Sequence, residues 1–158
     1  MGMVLTWSEL KEEILSLKAA GKRIVFTNGC FDILHVGHIR YLREARGLGD
    51  ILVIGLNSDS SVRRLKPWRP IITELQRAEV LASLEMVDYV TIFAEDTPYE
   101  LIKLLQPDIL VKGGDWKKSD IVGSEIVPET YSLPYIEGIS TTEIVSRIIN
   151  TKDTNNSS

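Results

Sequence analysis

Ile24-Val25-Phe26-Thr27-Asn28-Gly29-Cys30-Phe31-Asp32-Ile33-Leu34-His35-Val36-Gly37-His38 passes from apolar run to turn to helix start. Ile24-Val25-Phe26 is a short, partly β-branched run, Thr27-Asn28-Gly29 is turn chemistry, and a helical pattern runs from about His38 to Arg46. Gly47 and Gly49 close that helix, and Ile51 to Leu56 forms a second continuous apolar strand. Strand, helix and strand make a crossover unit, and strands without polar alternation are buried on both faces, as in a parallel sheet between two helix layers.

The same rhythm extends in both directions. Upstream, Thr6-Trp7-Ser8-Glu9 has capping-box spacing, and Leu10, Ile14 and Leu17 recur at helical intervals until Gly21. Downstream, Thr73-Glu74-Leu75-Gln76 is a second capping-box match, Tyr89 to Phe93 a third strand, and Thr97-Pro98 a cap with a first-turn proline. Ile109 to Val111 is a fourth strand, Leu133 to Ile136 is expected to be a fifth, and Thr141 to Ile149 a final helix. The expected fold is a three-layer, Rossmann-like α/β domain with a mostly parallel five-stranded sheet. It spans residues 1–150, with an opening helix in 1–21 and a disordered polar tail over 151–158.

In such sheets ligands lie beyond the carboxyl ends of the strands. That rule brings together Thr27 to His38, Asn57 to Lys66, Lys112 to Asp115 and Gly138 to Thr142. Both histidines of the chain, His35 and His38, stand three apart at a helix start with Gly37 between them. That spacing puts both imidazoles on one side of the first turn, beside unpaired N–H groups and the positive end of the helix dipole, which suits phosphate oxygens. Either histidine considered separately is more often a packed or capping residue. Zinc needs at least a third ligand, and a helix N-terminus favours an anion over a cation, so metal ligation ranks below phosphate contact. Cys30 reads as a small side chain lining the loop rather than a nucleophile. Neither a P-loop nor a three-glycine dinucleotide fingerprint is present.

Composition narrows the classes further. The 158 residues are 44% hydrophobic and 25% charged, as in ordinary globular domains. A net charge of −4 supplies no basic field for nucleic acid or anionic lipid, so an anion needs a local site. A single cysteine excludes an internal disulfide, no apolar run reaches membrane-spanning length, and the N-terminus lacks a secretion pattern. The expectation is a cytoplasmic protein with neither nucleic-acid nor membrane partners.

Thr27-x-Gly29-x-Phe31-Asp32-x-x-His35-x-Gly37-His38 resembles the signature of the cytidylyltransferase-like nucleotidyltransferases, and Gly138-Ile139-Ser140-Thr141-Thr142 resembles their second signature. The resemblance covers about Lys22 to Ile149 and implies the HxGH type of the fold. The wording of Thr27 to His35, of Asn57-Ser58-Asp59 and of Leu110 to Asp115 is similar to the adenylyltransferase branch that makes ADP-heptose from heptose 1-phosphate. The cytidylyl branch carries an arginine where this chain reads Tyr135-Ile136-Glu137-Gly138, which favours ATP over CTP, while the stretch from Gly123 to Gly138 is shorter than in heptose enzymes. The resemblance implies AMP transfer from ATP to a sugar 1-phosphate, with Mg²⁺ carried by ATP and no protein metal site. It further implies a homodimer and a separately encoded heptose kinase.

For the site, the resemblance implies His35, His38, Lys66 and Thr142 as catalytic. It implies Thr27, Asn28, Gly29, Cys30, Phe31, Gly37, Arg77, Gly114, Asp115, Ser140 and Thr141 on the nucleotide, and Asp32 and Asn57 on the acceptor. The bland alternatives are a solvated surface arginine at 77, a plain helix cap at 140–142 and an ordinary turn at 113–115. The other functions weighed are glycerol-3-phosphate cytidylyltransferase, FMN adenylyltransferase and a non-catalytic nucleotide-binding domain.

Overall fold

The structure is a computed structural model that describes residues 1–136 and 138–155. Its elements are β1 (Met3–Val4), α1 (Trp7–Ala19), β2 (Ile24–Gly29), α2 (Val36–Arg46), β3 (Ile51–Asn57), α3 (Asp59–Leu65), α4 (Glu74–Ala82), β4 (Tyr89–Phe93), α5 (Tyr99–Leu105), β5 (Ile109–Gly113), β6 (Glu129–Leu133) and α6 (Thr141–Asn155). The sheet is six-stranded in the order β1-β4-β3-β2-β5-β6, and every pairing is parallel.

Alternate residues of each strand feed two cores. Val25, Leu52, Ile54, Val90 and Val111 pack with Leu42 of α2 and Leu81 of α4. Ile24, Phe26, Val53 and Leu110 face the other way, against Leu10 and Ile14 of α1 and Leu101 and Ile102 of α5. This two-sided burial is why the strands read as unbroken apolar runs. The chain leaves β2 for β3 on one side and later returns to β5 on the other, so strand order reverses at β2, where a ligand crevice is expected.

The α/β class stands, with corrections to its parts. The sheet has six strands rather than five. The additional strand, β1, is two exposed residues held by backbone pairing to β4 rather than by side-chain burial, so no hydrophobic pattern marks it. The last strand is Glu129–Leu133, upstream of the segment expected from Leu133, because Pro134 cannot donate to the ladder. Asp59–Leu65, for which the sequence pattern marks no helix, is a helix capped by the Ser58 hydroxyl, which accepts from the Ser61 N–H at 3.2 Å.

Thr6 and Glu9 do form the expected capping box. Thr73 is the N-cap residue of α4 but makes no side-chain cap, and the first helical residue, Glu74, accepts from the Asp59 N–H at 3.0 Å. Pro98 rather than Thr97 is the cap residue of α5. The final helix continues through Asn155, six residues past Ile149, and the remainder of the expected tail, 156–158, lies outside the described residues. Among the described residues no helix is long and apolar enough to cross a membrane.

Candidate active site

Two backbone contacts fix the histidine pair. The helix begins at Val36, two residues before the expected start, so His35 is its N-cap and His38 lies in its first turn. Nδ1 of His35 accepts from the Gly37 N–H at 3.1 Å, and Nδ1 of His38 accepts from the His35 N–H at 3.3 Å. The exchange has the logic of a capping box, with imidazoles satisfying donors that a helix start leaves unpaired. A neutral imidazole that accepts at Nδ1 carries its proton on Nε2, so the tautomer of both rings is set by the backbone. The rings lie with centroids 3.9 Å apart. Burial holds the His38 pKa down at about 4, helped by His35 and Lys66, and burial also lowers His35. At neutral pH the pair therefore presents two uncharged Nε2–H donors.

Gly37 is required by this geometry. A Cβ there would stand 2.8 Å from His35 Cε1 and 2.9 Å from Nδ1, well inside contact distance. Gly37→Ala is expected to push the His35 ring out of place and lower turnover by about 10²-fold, the loss typical of removing one aligned donor, with α2 still formed. Turnover measured beside the circular dichroism spectrum checks this, and an unchanged rate would show that the His35 position is not needed.

The loop before the histidines is pinned from both sides. Arg77, 2% exposed, donates from Nη1 to the carbonyls of Cys30 at 2.7 Å and Asn57 at 2.8 Å, from Nε to Ile72 O at 2.9 Å, and from Nη2 to Asp59 at 2.8 Å. Asp32, 5% exposed, accepts from the N–H groups of Ile71 and Ile72 at 2.9–3.0 Å and is paired with Arg69 at 3.4 Å. Between these anchors Phe31 adopts φ 45°, a left-handed conformation unfavourable for a bulky residue. Its ring then rests where a Cβ on Gly29 would lie, 2.9 Å away, and packs 5.5 Å from the His38 ring.

A cavity of about 830 Å³ opens over these residues at the carboxyl ends of the strands. The fold brings Asn28, Gly29, Cys30, Phe31, Asp32, His35, Gly37, His38, Asn57, Lys66, Ser140, Thr141 and Thr142 to its wall. Ser140 Oγ accepts from the Glu143 N–H at 3.1 Å and Thr141 Oγ1 donates to Ile33 O at 3.0 Å, which seats the α6 N-terminus beside the approach to α2.

Four expected residues are elsewhere. Thr27 is buried with its hydroxyl 2.7 Å from that of Tyr41. Arg77 is neither a surface arginine nor a wall residue, because its guanidinium is consumed by the clamp just described. Gly114 and Asp115 follow the turn out of β5, and the wall is formed there by Gly113 and Trp116. Asp32 and Asn57 reach the wall already engaged, the latter donating to Ser61 Oγ at 2.8 Å.

Residues not singled out from sequence also line the cavity, notably Lys112, Arg40, Arg69 and Tyr135. A lysine ending an apolar strand just before Gly113-Gly114 was the available signal for Lys112, and no local pattern marks the others. Among the described residues no three His, Cys, Asp or Glu side chains are grouped to hold a metal ion. The wall combines the donors of the histidine pair with four cationic side chains, Arg40, Lys66, Arg69 and Lys112, beside the carboxylates of Asp32, Glu44, Asp96 and Asp120.

The cytidylyltransferase-like family model matches residues 26–147. The bifunctional protein HldE of a Nitratiruptor species is 62% identical over 133 residues, covering 84% of this chain and 29% of that protein. The bifunctional protein HldE of Aliarcobacter butzleri is 53% identical over 154 residues, covering 97% and 32%. The chain thus spans about a third of the length of these relatives. The crystal structure of the lipopolysaccharide core biosynthesis protein from Thermoplasma volcanium superposes with a TM-score of 0.65 at 32% identity, covering 74% of this chain and all of that one. Pantoate-beta-alanine ligase from Francisella tularensis, at 15% identity and a TM-score of 0.60 over 91% of this chain and 76% of its own, shares the fold alone. Both signatures meet at one cavity, and the family model spans most of the folded residues, so this chain belongs to the cytidylyltransferase-like family.

Proposed function

We propose that this chain is an adenylyltransferase that joins the AMP moiety of ATP to D-glycero-β-D-manno-heptose 1-phosphate, giving ADP-heptose and pyrophosphate. The observation that carries the reading is the pair of neutral Nε2–H donors fixed at a helix N-terminus inside a cavity that Lys66 and Lys112 also line, in a chain 62% identical to part of a bifunctional HldE.

The reaction needs alignment more than proton transfer. A phosphate oxygen of the acceptor, ionised at neutral pH, forms a bond to the α-phosphorus of ATP. The α–β bridging bond breaks, and pyrophosphate leaves with the electron pair. The barrier lies in bringing two polyanions into line and stabilising charge on the equatorial oxygens and the leaving group. His35 and His38 donate from Nε2 to the triphosphate, and the uncharged state of His38 lets its Nδ1 accept from the backbone at the same time. The N-termini of α2 and α6 receive further phosphate oxygens, through the Ser140 and Thr142 hydroxyls and the N–H groups of Ser140, Thr141 and Thr142. Lys66, at the C-terminal end of α3 within electrostatic reach of His38, offsets charge on the bridging phosphates. Asp32 acts by holding the 69–72 segment against the loop rather than by touching sugar. Mg²⁺ would travel with the triphosphate, held by phosphate oxygens and water, and neutralises charge there.

The test is pyrophosphate release across all four nucleoside triphosphates against heptose, glycerol and flavin phosphates. Release with ATP and heptose 1-phosphate is the expected outcome. Release only with CTP and glycerol 3-phosphate, or ATP binding without turnover on any acceptor, would replace the proposal with a cytidylyltransferase or a binding domain.

A further inference from the structure

We propose that Lys112 binds the phosphate of the acceptor, opposite the histidine pair, and so defines a separate half of the cavity for the incoming sugar phosphate. This rests on the adenylyl-transfer reading above and assigns a side chain to the one reactant for which that reading named no cation.

The placement follows from strand alternation. Val111 packs into the core shared with α2, whereas Leu110 packs into the core shared with α1 and α5. Lys112, two residues beyond Leu110, projects to that second side. The histidines and the α2 N-terminus belong to the first side, where Leu42 anchors α2. The cavity spans both, and Lys112 lines it from the end of β5, within electrostatic reach of Cys30 and Lys66.

The Lys112 ammonium is half-buried and makes no hydrogen bond or ion pair with any described residue; the Trp116 ring lies 5.6 Å away. Burial lowers its pKa, Cys30 partly opposes that, and Lys66 lowers it further. Two lysines facing one partly desolvated space are unfavourable until an anion enters between them. The triphosphate already has two helix N-termini and two imidazoles on its own side. In-line displacement requires the attacking phosphate to approach opposite the departing pyrophosphate, and a second dianion arriving there needs a cation of its own. Lys112 is the strand-borne cation on that side.

Kinetics and binding of Lys112→Met, against wild type and Lys112→Arg, test the assignment. Methionine keeps the length and removes the charge. Losing one charge-assisted contact is expected to raise KM and Kd for heptose 1-phosphate roughly 10- to 100-fold, with KM for ATP changed by less than about twofold. Arginine should restore most of the loss, and an unchanged melting temperature would exclude misfolding. A KM rise confined to ATP, or no rise for the acceptor, overturns the proposal and leaves adenylyl transfer intact. Calorimetric titration with heptose 1-phosphate separates the two ideas. Wild type that binds it through Lys112 without turnover defeats the proposed activity alone, and wild type that neither binds nor turns it over defeats both.

Discussion

Replacing His38 with alanine is expected to lower turnover by about 10²–10³-fold while the melting temperature at neutral pH stays near that of wild type. The imidazole contributes one Nε2–H donor aimed at a charge that grows in the transition state. Inside the protein it accepts a single long, part-buried contact at 3.3 Å from the His35 N–H, which water from the adjoining cavity can replace. The loss should fall on kcat more than on KM for ATP, since uniform binding would move KM alone.

The same variant has a signature in acid. His38 has a folded-state pKa of about 4 against an ordinary 6.5, so the unfolded chain binds its proton more readily. Stability from this group is complete above about pH 6.5 and is lost as pH falls toward 4. His38→Ala should therefore lose less stability than wild type between pH 6.5 and 4, as thermal melts across that range would show. Unaltered turnover would remove His38 from the mechanism, and parallel melting curves would contradict its buried, neutral state.

Arg77→Met should do the reverse, costing fold stability rather than a ligand contact. Removal leaves the carbonyls of Cys30, Asn57 and Ile72 without this donor, together with the Asp59 carboxylate that is now unpaired. Breaking a buried charge pair of this kind costs about 3–5 kcal/mol, which for a domain of this size lowers the melting temperature by roughly 6–20 °C. Lysine should recover only part of the loss, because a single ammonium cannot reproduce the guanidinium fork that spans three segments. Thermal unfolding followed by circular dichroism measures this. A variant that melts like wild type yet binds ATP more weakly would instead make Arg77 a nucleotide contact.

Arg77 also shows where local reading runs out. Its helix, its neighbours and its charge suit solvent, a ligand or a buried clamp equally well. Only packing α4 beneath the β2 and β3 loops selects the clamp. Lys112 is the converse: its segment was legible as a turn at a strand end, but its half-burial and missing partner depend on the side of the sheet it faces. Thr73 matched a capping box with Gln76 by spacing, yet no side-chain cap forms there, and the neighbouring Glu74 bonds a backbone N–H fifteen residues away that no local pattern marks.

Local patterns were enough for the α/β class, the crossover β2–α2–β3, and the identity of the two signatures. These depend on periodicity, on glycine and on turn residues within a few positions of one another. Long-range packing was needed for the sixth strand, the burial of Arg77, the engagement of Asp32 by Ile71 and Ile72, and the division of the cavity between two sides of the sheet. Those features arise from groups far apart in the chain, whose meeting is set by how helices pack on strands and by where each buried polar atom finds its partner.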